Sequence, residues 1–542
     1  MSSLHLGPPI FQRQSIILWL ISCVFVLAAV LLLARLGHYA LWDDEAATAL
    51  HAEGVWQTGD TSAVLSYNIV ATYNGVNLRN LHERLEPPLQ SYLAAPFVGL
   101  MGNNALAARL PFALCGLATV ALMLWWLWRD AAGIWTVVIF AMGLLGNVSF
   151  FLYCRQSRYY AAAILASLAL AYIYFHWNGS RRTLTGFAMV SVCLFAANYL
   201  SYLAFNVCLL IDYFIWGRKR RILSIVDWLC IVLPQIPFLA LVALIWNPLG
   251  MDVHHSRPLQ NIGDRFVLLW WNLRDMNRAE ITSLLLLIAA PFVSLVKKGN
   301  LYLLRASVIL WIYIGVITLL SPQPLALTSV ADVRYLTPTI PLCIFVETEC
   351  ILALFPGIPW LVLATGAVVS WTNLLNAGFL FPEGLRSTIT SYVGELIHPP
   401  GDPYTPTAQW INEHVPENAS IWVEPDYMTY PLMFHAPKAI YAWQLAPNNH
   451  DPQFAALPPI HFQGRVPPDY IIVFGPLVQQ IAPMISQWRG VRYEQVATIN
   501  HFWKDLHRPE LFWRTFVPIT NYDPNHDAIY VFKRIEPASL TQ

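Results

Sequence analysis

Apolar stretches long enough to cross a bilayer of about 30 Å recur from Ser15 to about residue 378, and this pattern constrains the fold more than any other feature. We read spans at 15–36, 108–128, 133–152, 160–177, 184–199, 202–217, 225–247, 280–296, 302–320, 336–354 and 358–377. Only 12% of the residues are charged, against about 25% in an ordinary soluble domain, so a polytopic α-helical membrane protein is expected. The formal net charge is zero, which argues against nucleic acid as a partner. The first run, Ser15 to Leu36, is too long for a signal-peptide core and lacks a small-residue cleavage site. It reads as a retained signal-anchor helix.

Basic residues set the expected orientation. With the N-terminus in the cytoplasm, Arg129, Arg181-Arg182, Arg218 to Arg221 and Lys297-Lys298 all fall on the cytoplasmic side. Pro87 to Met101 is apolar but short and opens with Pro-Pro, and counting it as a span would reverse the later clusters. We read it as a helix on or in the outer leaflet, inside one outer loop of residues 37–107. About eleven spans then leave residues 380–542 outside the cytoplasm. This tail holds 21 of the 38 prolines and no spanning run. A helix start at Thr407 to His414 and strand-like segments at Ile421 to Pro425 and Pro468 to Gly475 predict a soluble α/β domain there. The eight cysteines form no CxxC pair and read as packing residues.

Charges near membrane depth carry the chemistry. Asp43, Asp44 and Glu45 follow the first span directly, beside Trp42. Acids there are costly unless paired or used, and one can serve as a general base. They also fit a helix N-terminus, where carboxylates meet the positive end of the dipole. At the far end of the same loop, His82, Arg84 and Glu86 precede Pro87-Pro88. Arg109, Arg155, Arg158 and Arg334 lie just inside the outer ends of spans. Guanidinium suits phosphate, although snorkelling or pairing with an acid explains such positions equally well. His254-His255 lack a third ligand for a metal, and Trp270 and Trp271 read as an interfacial anchor.

In their order these motifs resemble the GT-C glycosyltransferases of the protein mannosyltransferase and aminoarabinose transferase type, known as family 39. The matching residues are Asp44-Glu45, Pro87-Pro88-Leu89, Arg109-Leu110-Pro111, Arg155 to Tyr159, and Arg334-Tyr335 to Pro338, across about residues 15–355. The resemblance implies an inverting transferase in a bacterial inner membrane, with the C-terminal domain periplasmic. It would move a sugar from a polyprenyl-phosphate donor to a lipid, glycan or protein acceptor. By the same resemblance Asp44 is the base, Glu45 a supporting acid and Asp43 the alternative. Arg109, Arg158 and Arg334 hold the donor phosphate, with Arg84 or His82 closing from the loop, Arg155, Tyr159 and Tyr335 also at the phosphate, and Glu86 a loop residue facing substrate. No acid stands in the loop Cys154 to Ala161, and no lysine stands beside Glu86-Pro87, where relatives carry them. A divalent cation therefore has no evident ligands. An oligosaccharyltransferase using a polyprenyl diphosphate is the alternative enzyme. A lipid-linked sugar transporter is disfavoured by the absence of an internal repeat.

Overall fold

Ile10 to Leu33 contains neither proline nor glycine and forms one unbroken helix, α1. Val24, Ala28 and Leu32 recur every fourth residue and make its buried stripe, while Trp19, Val26 and Val30 face outward. The computed structural model describes residues 10–246, 262–296, 300–321, 333–375, 387–505, 523 and 526–535. His254 and His255 lie outside the described residues. Among those described, six helical stretches are long and apolar enough to cross a membrane: Gln14–Leu33, Ala105–Arg129, Tyr199–Gly217, Ile225–Ile245, Leu301–Leu320 and Val333–Leu354.

The remaining expected spans also coincide with helices, but shorter or broken ones. The span expected at 133–152 is two helices, α5 (Ile134–Gly146) and α6 (Val148–Cys154), bent by 57°. Asn147 makes the break, because its side chain accepts the Phe150 N–H and starts the second helix. Asn198 likewise caps α9 (Tyr199–Asp212) through Ser201 and separates it from α8 (Arg181–Ala197). Between these pairs runs α7 (Tyr160–Phe175). Residues 262–278, expected within an outer loop, instead form a helix. Its Leu268, Asn272, Asp275 and Met276 share one buried face, so helical periodicity outweighs its polar content.

Within the loop 37–107 the chain builds α2 (Asp43–Thr58), the hairpins β1 (Val64–Leu65) with β2 (Asn68–Ile69) and β3 (Leu78–Arg79) with β4 (His82–Glu83), then α3 (Leu89–Met101). At 13 residues, α3 spans about 20 Å, too short to cross a bilayer alone. It packs on α2 at Gly99, where a Cβ would sit 2.1 Å from the Trp56 ring, so only glycine allows this approach. The next helix, α4 (Ala105–Arg129), carries Arg109 near one end and Arg129 at the other. The Arg129 end gathers Tyr172, and the Arg221 guanidinium lies over Trp177, so these cations share the end of the bundle away from α2.

The C-terminal region forms a five-stranded sheet in the order β6-β5-β7-β9-β8. The strands are β5 (Ser420–Glu424), β6 (Ile440–Tyr441), β7 (Tyr470–Phe474), β8 (Arg492–Ile499) and β9 (Ile529–Ile535). β5 runs parallel to β6 and β7, whereas β9 is antiparallel to β7 and β8. One face, with Ile421, Val423, Ile472 and Val531, joins the main core. The other, with Ile471, Val473 and Phe532, is covered by the helix Val478–Ser486. The outer loop is pinned to this region. Asn68 donates to the Ala439 carbonyl at 2.9 Å and accepts the Tyr441 N–H at 2.7 Å. Ile69 and Leu78 pack with Leu445 and Phe454.

Candidate active site

Asp43, Asp44 and Glu45 form the first turn of α2, with Trp42 as its cap. Acids there are favoured by the helix dipole, so the local reason for their positions is electrostatic. Successive residues of a helix point about 100° apart, and the two neighbours Asp44 and Glu45 therefore meet different surroundings.

Glu45 turns inward and is wholly buried. It takes a bidentate pair from Arg109, at 2.9 Å from Nε and 2.5 Å from Nη2, and accepts the Ser157 N–H at 2.7 Å. The other N–H groups of Arg109 go to the carbonyls of Leu36, Tyr39 and Ala40. Every donor of this guanidinium is thus spent inside the protein. Arg155 caps the end of α1, its Nη1 reaching the carbonyls of Leu31, Leu32 and Ala34. Arg109 and Arg155, expected at the phosphate, are both buried and held by these internal partners.

Asp44 turns toward the loop, and its side chain is 32% exposed. Its Oδ2 lies 3.3 Å from Arg158 and 3.4 Å from Arg334. Arg158 is buried, yet it also reaches Glu86 at 3.1 Å and Thr48 at 3.2 Å. Its Nε–H has no hydrogen-bond partner among the described residues, so a buried donor remains for another oxygen. Arg158 and Arg334 lie against the rings of Tyr159 and Tyr335 at 5.8 and 5.6 Å. Glu86 is held in turn by Gln90, and Asp43 accepts the Asp44 N–H at 2.6 Å. The structure therefore brings together Asp43, Asp44, Glu86, Arg158, Tyr159, Arg334 and Tyr335.

His82 and Arg84 are not part of that group. Arg84 makes a bidentate pair with Asp60 at 2.6 and 2.5 Å, and His82 lies 3.7 Å from the same carboxylate. The Asp60 carboxyl is lowered from its ordinary range: burial opposes the shift, but Arg84 outweighs it. This second cluster holds the loop hairpins rather than closing over Asp44.

Several residues escaped the sequence reading. Tyr73 stands in the left-handed region at φ 51°, and its phenol is pushed up by desolvation of the hydroxyl and then by the charge of Asp44. Tyr430, from the C-terminal region, is buried and feels the charges of Asp426 and Asp43. Tyr199 has a buried hydroxyl with no hydrogen-bond partner among the described residues, within reach of the charges of Glu83 and Glu86. Burial, followed by the Glu86 charge, raises the Glu83 carboxyl to about 8, while burial and then Arg158 lower His51 to about 4. No sequence signal links Tyr430 to the loop; a tyrosine at a bend is the only hint for Tyr73. Among the described residues no three of His, Cys, Asp and Glu converge on a point suited to a metal ion.

Neither a protein-family model nor a curated protein sequence matches the chain. Among solved structures, ArnT from Cupriavidus metallidurans bound to undecaprenyl phosphate aligns with a TM-score of 0.57 at 12% identity, covering 97% of this chain and 99% of that one. The apo state of the same protein aligns with a TM-score of 0.56 at 12% identity, covering 89% and 96%. The likeness extends over nearly the whole length of both chains, and the chain has the GT-C fold.

Proposed function

We propose that this chain is an inverting glycosyltransferase that takes a sugar from a polyprenyl-phosphate donor at the outer face of a bacterial inner membrane. The acceptor is a hydroxyl or phosphate oxygen on an outer-leaflet lipid, a glycan or a protein. The observation that carries the reading is Asp44, a half-exposed carboxylate bridging two arginines, one of which keeps a buried donor unused. The fold shared with ArnT, a protein solved with undecaprenyl phosphate, supports a lipid phosphate as the ligand.

In this reading Arg158 and Arg334 bind the donor phosphate and release Asp44 from its ion pairs. Asp44 then takes the proton of the acceptor hydroxyl as its oxygen bonds to the anomeric carbon from the face opposite the phosphate. The bond from that carbon to the phosphate oxygen breaks, its electron pair leaves with the lipid phosphate, and the two guanidinium groups stabilise the charge that develops there. Glu86 and Thr48 hold Arg158 in place, and Tyr159 and Tyr335 support the two guanidinium planes. Asp43 orients the first turn of α2 through the Asp44 N–H. Glu45, Arg109 and Arg155 fix the loop to the bundle and touch no substrate.

The test is a donor panel given to the purified protein in nanodiscs, with a membrane lipid extract as acceptor source. Radiolabelled polyprenyl-monophosphate sugars are expected to turn over and the corresponding diphosphates to remain intact. Turnover of the diphosphates alone would transfer the assignment to an oligosaccharyltransferase or ligase.

A further inference from the structure

A cavity of about 630 Å³ lies in the C-terminal domain, lined in part by Trp422, Trp443 and Trp488. Its origin can be followed from the strand upward. Along β5, Trp422 and Glu424 alternate with the buried Ile421 and Val423, so both project from the same face of the sheet. That face carries the cluster under the helix Val478–Ser486, and the helix ends just before Trp488. Trp443 follows β6 with φ at 64°, a strained conformation for a bulky residue. Its indole N–H is tied to the Val466 carbonyl at 2.9 Å, which fixes the ring.

The three indoles pack together in the lining of the cavity. Ring centroids are 4.8 Å apart for Trp422 and Trp443, 5.5 Å for Trp443 and Trp488, and 6.2 Å for Trp422 and Trp488. None is fully buried, so each keeps some ring surface for a ligand. The polar lining of the same cavity includes Glu424, Asp426, Gln444 and Arg489. The Glu424 carboxylate is half-buried and hydrogen-bonds to no described residue. It is raised to about 7 by burial and then by Asp426.

We propose that this cavity is a saccharide-binding site, in which the C–H face of a sugar ring lies on the tryptophan rings and its hydroxyls bond to Glu424, Gln444 and Arg489. An aromatic face beside mixed donors and acceptors matches the amphipathic surface of a pyranose or furanose. The volume accommodates one or two sugar rings. A quaternary ammonium group is the other ligand that tryptophans and acids attract. One feature selects against it: the indoles pack on one another rather than enclosing a central space. The proposal goes beyond the transferase reading, because the cavity lining shares no residue with the group around Asp44 and can be loaded without turnover.

The test is a saturation-transfer NMR titration of the full-length protein in nanodiscs with mannobiose, chitobiose, an arabinofuranose disaccharide, a galacturonic acid disaccharide and tetramethylammonium. At least one saccharide is expected to bind, with its ring protons receiving saturation. Trp488→Ala is expected to weaken it about tenfold or more, and Trp488→Phe to restore part of the affinity. Glu424→Gln changes no aromatic packing and is expected to weaken binding as well, which separates loss of a ligand contact from loss of folding. Overturning results are saturation of tetramethylammonium alone, no saccharide binding up to about 20 mM, or saccharide binding that both Trp488→Ala and Glu424→Gln leave intact.

Discussion

Asp44 and Glu45 are neighbours on one helix turn, and each is paired with arginine, but the two ion-pair regions differ in completeness. The Glu45–Arg109 region is closed: the acid is wholly buried and every guanidinium donor is used by the protein. At Asp44 the region is open, with one carboxylate divided between Arg158 and Arg334 at longer distances and a buried Arg158 N–H unused. A saturated buried pair specifies structure, since any ligand would have to break it before binding. An unsaturated one has capacity left for a substrate. The difference separates anchors from reactive groups among residues of the same type.

The largest expected effect comes from breaking the closed region. Glu45→Gln leaves the Arg109 cation buried without its counter-charge and is expected to cost about 3–5 kcal/mol of stability. Thermal unfolding in detergent or nanodiscs measures it, and an unchanged transition would show that the closed pair is not an anchor. Next, Arg158→Gln is expected to lower turnover about 10²–10³-fold while the protein stays folded. Arg334 is more exposed and makes one long contact to Asp44, so Arg334→Gln is expected to cost only about tenfold. Steady-state rates with a polyprenyl-phosphate sugar rank the two, and an inverted order would move the main phosphate contact to Arg334.

A third comparison uses the loop pair of Arg84 and Asp60, whose carboxylate is 34% exposed. Arg84→Gln is expected to cost about 1 kcal/mol of stability and to leave turnover within about twofold. A larger loss of rate at normal stability would return Arg84 to the substrate. The last comparison concerns pH. The Glu83 carboxyl stands at about 8 in the folded chain against 4.5 ordinarily, because of burial and then the Glu86 charge. Between those values the folded state keeps a proton that the unfolded state has lost, so this group's stabilising contribution falls as pH rises through the window. Glu83→Gln removes that slope, and melting temperatures across about pH 5–8 are expected to flatten. An unaltered slope would place the titration elsewhere.

The sequence made the membrane bundle legible because periodic apolar runs and basic clusters are local signals. It located helix breaks poorly. Asn147 and Asn198 interrupt apolar stretches by capping, and one asparagine hardly alters the hydropathy of a window. The acids after the first span were legible as a site, since charges beside a bilayer are rare. Which acid faces which arginine was not, because one helical residue rotates the side chain by about 100°. Arg109 and Arg158 look alike in the chain, each near a span end. Only the carbonyls of Leu36, Tyr39 and Ala40, brought back by the turn after α1, distinguish them. Tyr430 reaches the site because Asn68 and the hydrophobic contacts of Phe454 fasten the loop to the C-terminal sheet, and no local pattern announces a contact across some 370 residues.

The most direct test of the division between the two regions is Asp44→Asn, assayed for both melting temperature and sugar transfer from a radiolabelled polyprenyl phosphate. A melting temperature close to wild type, with transfer reduced about 10²–10⁴-fold, is the expected result for a base in the open region. Wild-type transfer by a normally folded Asp44→Asn protein would contradict it and leave the chemistry to Asp43 or another group facing Arg158.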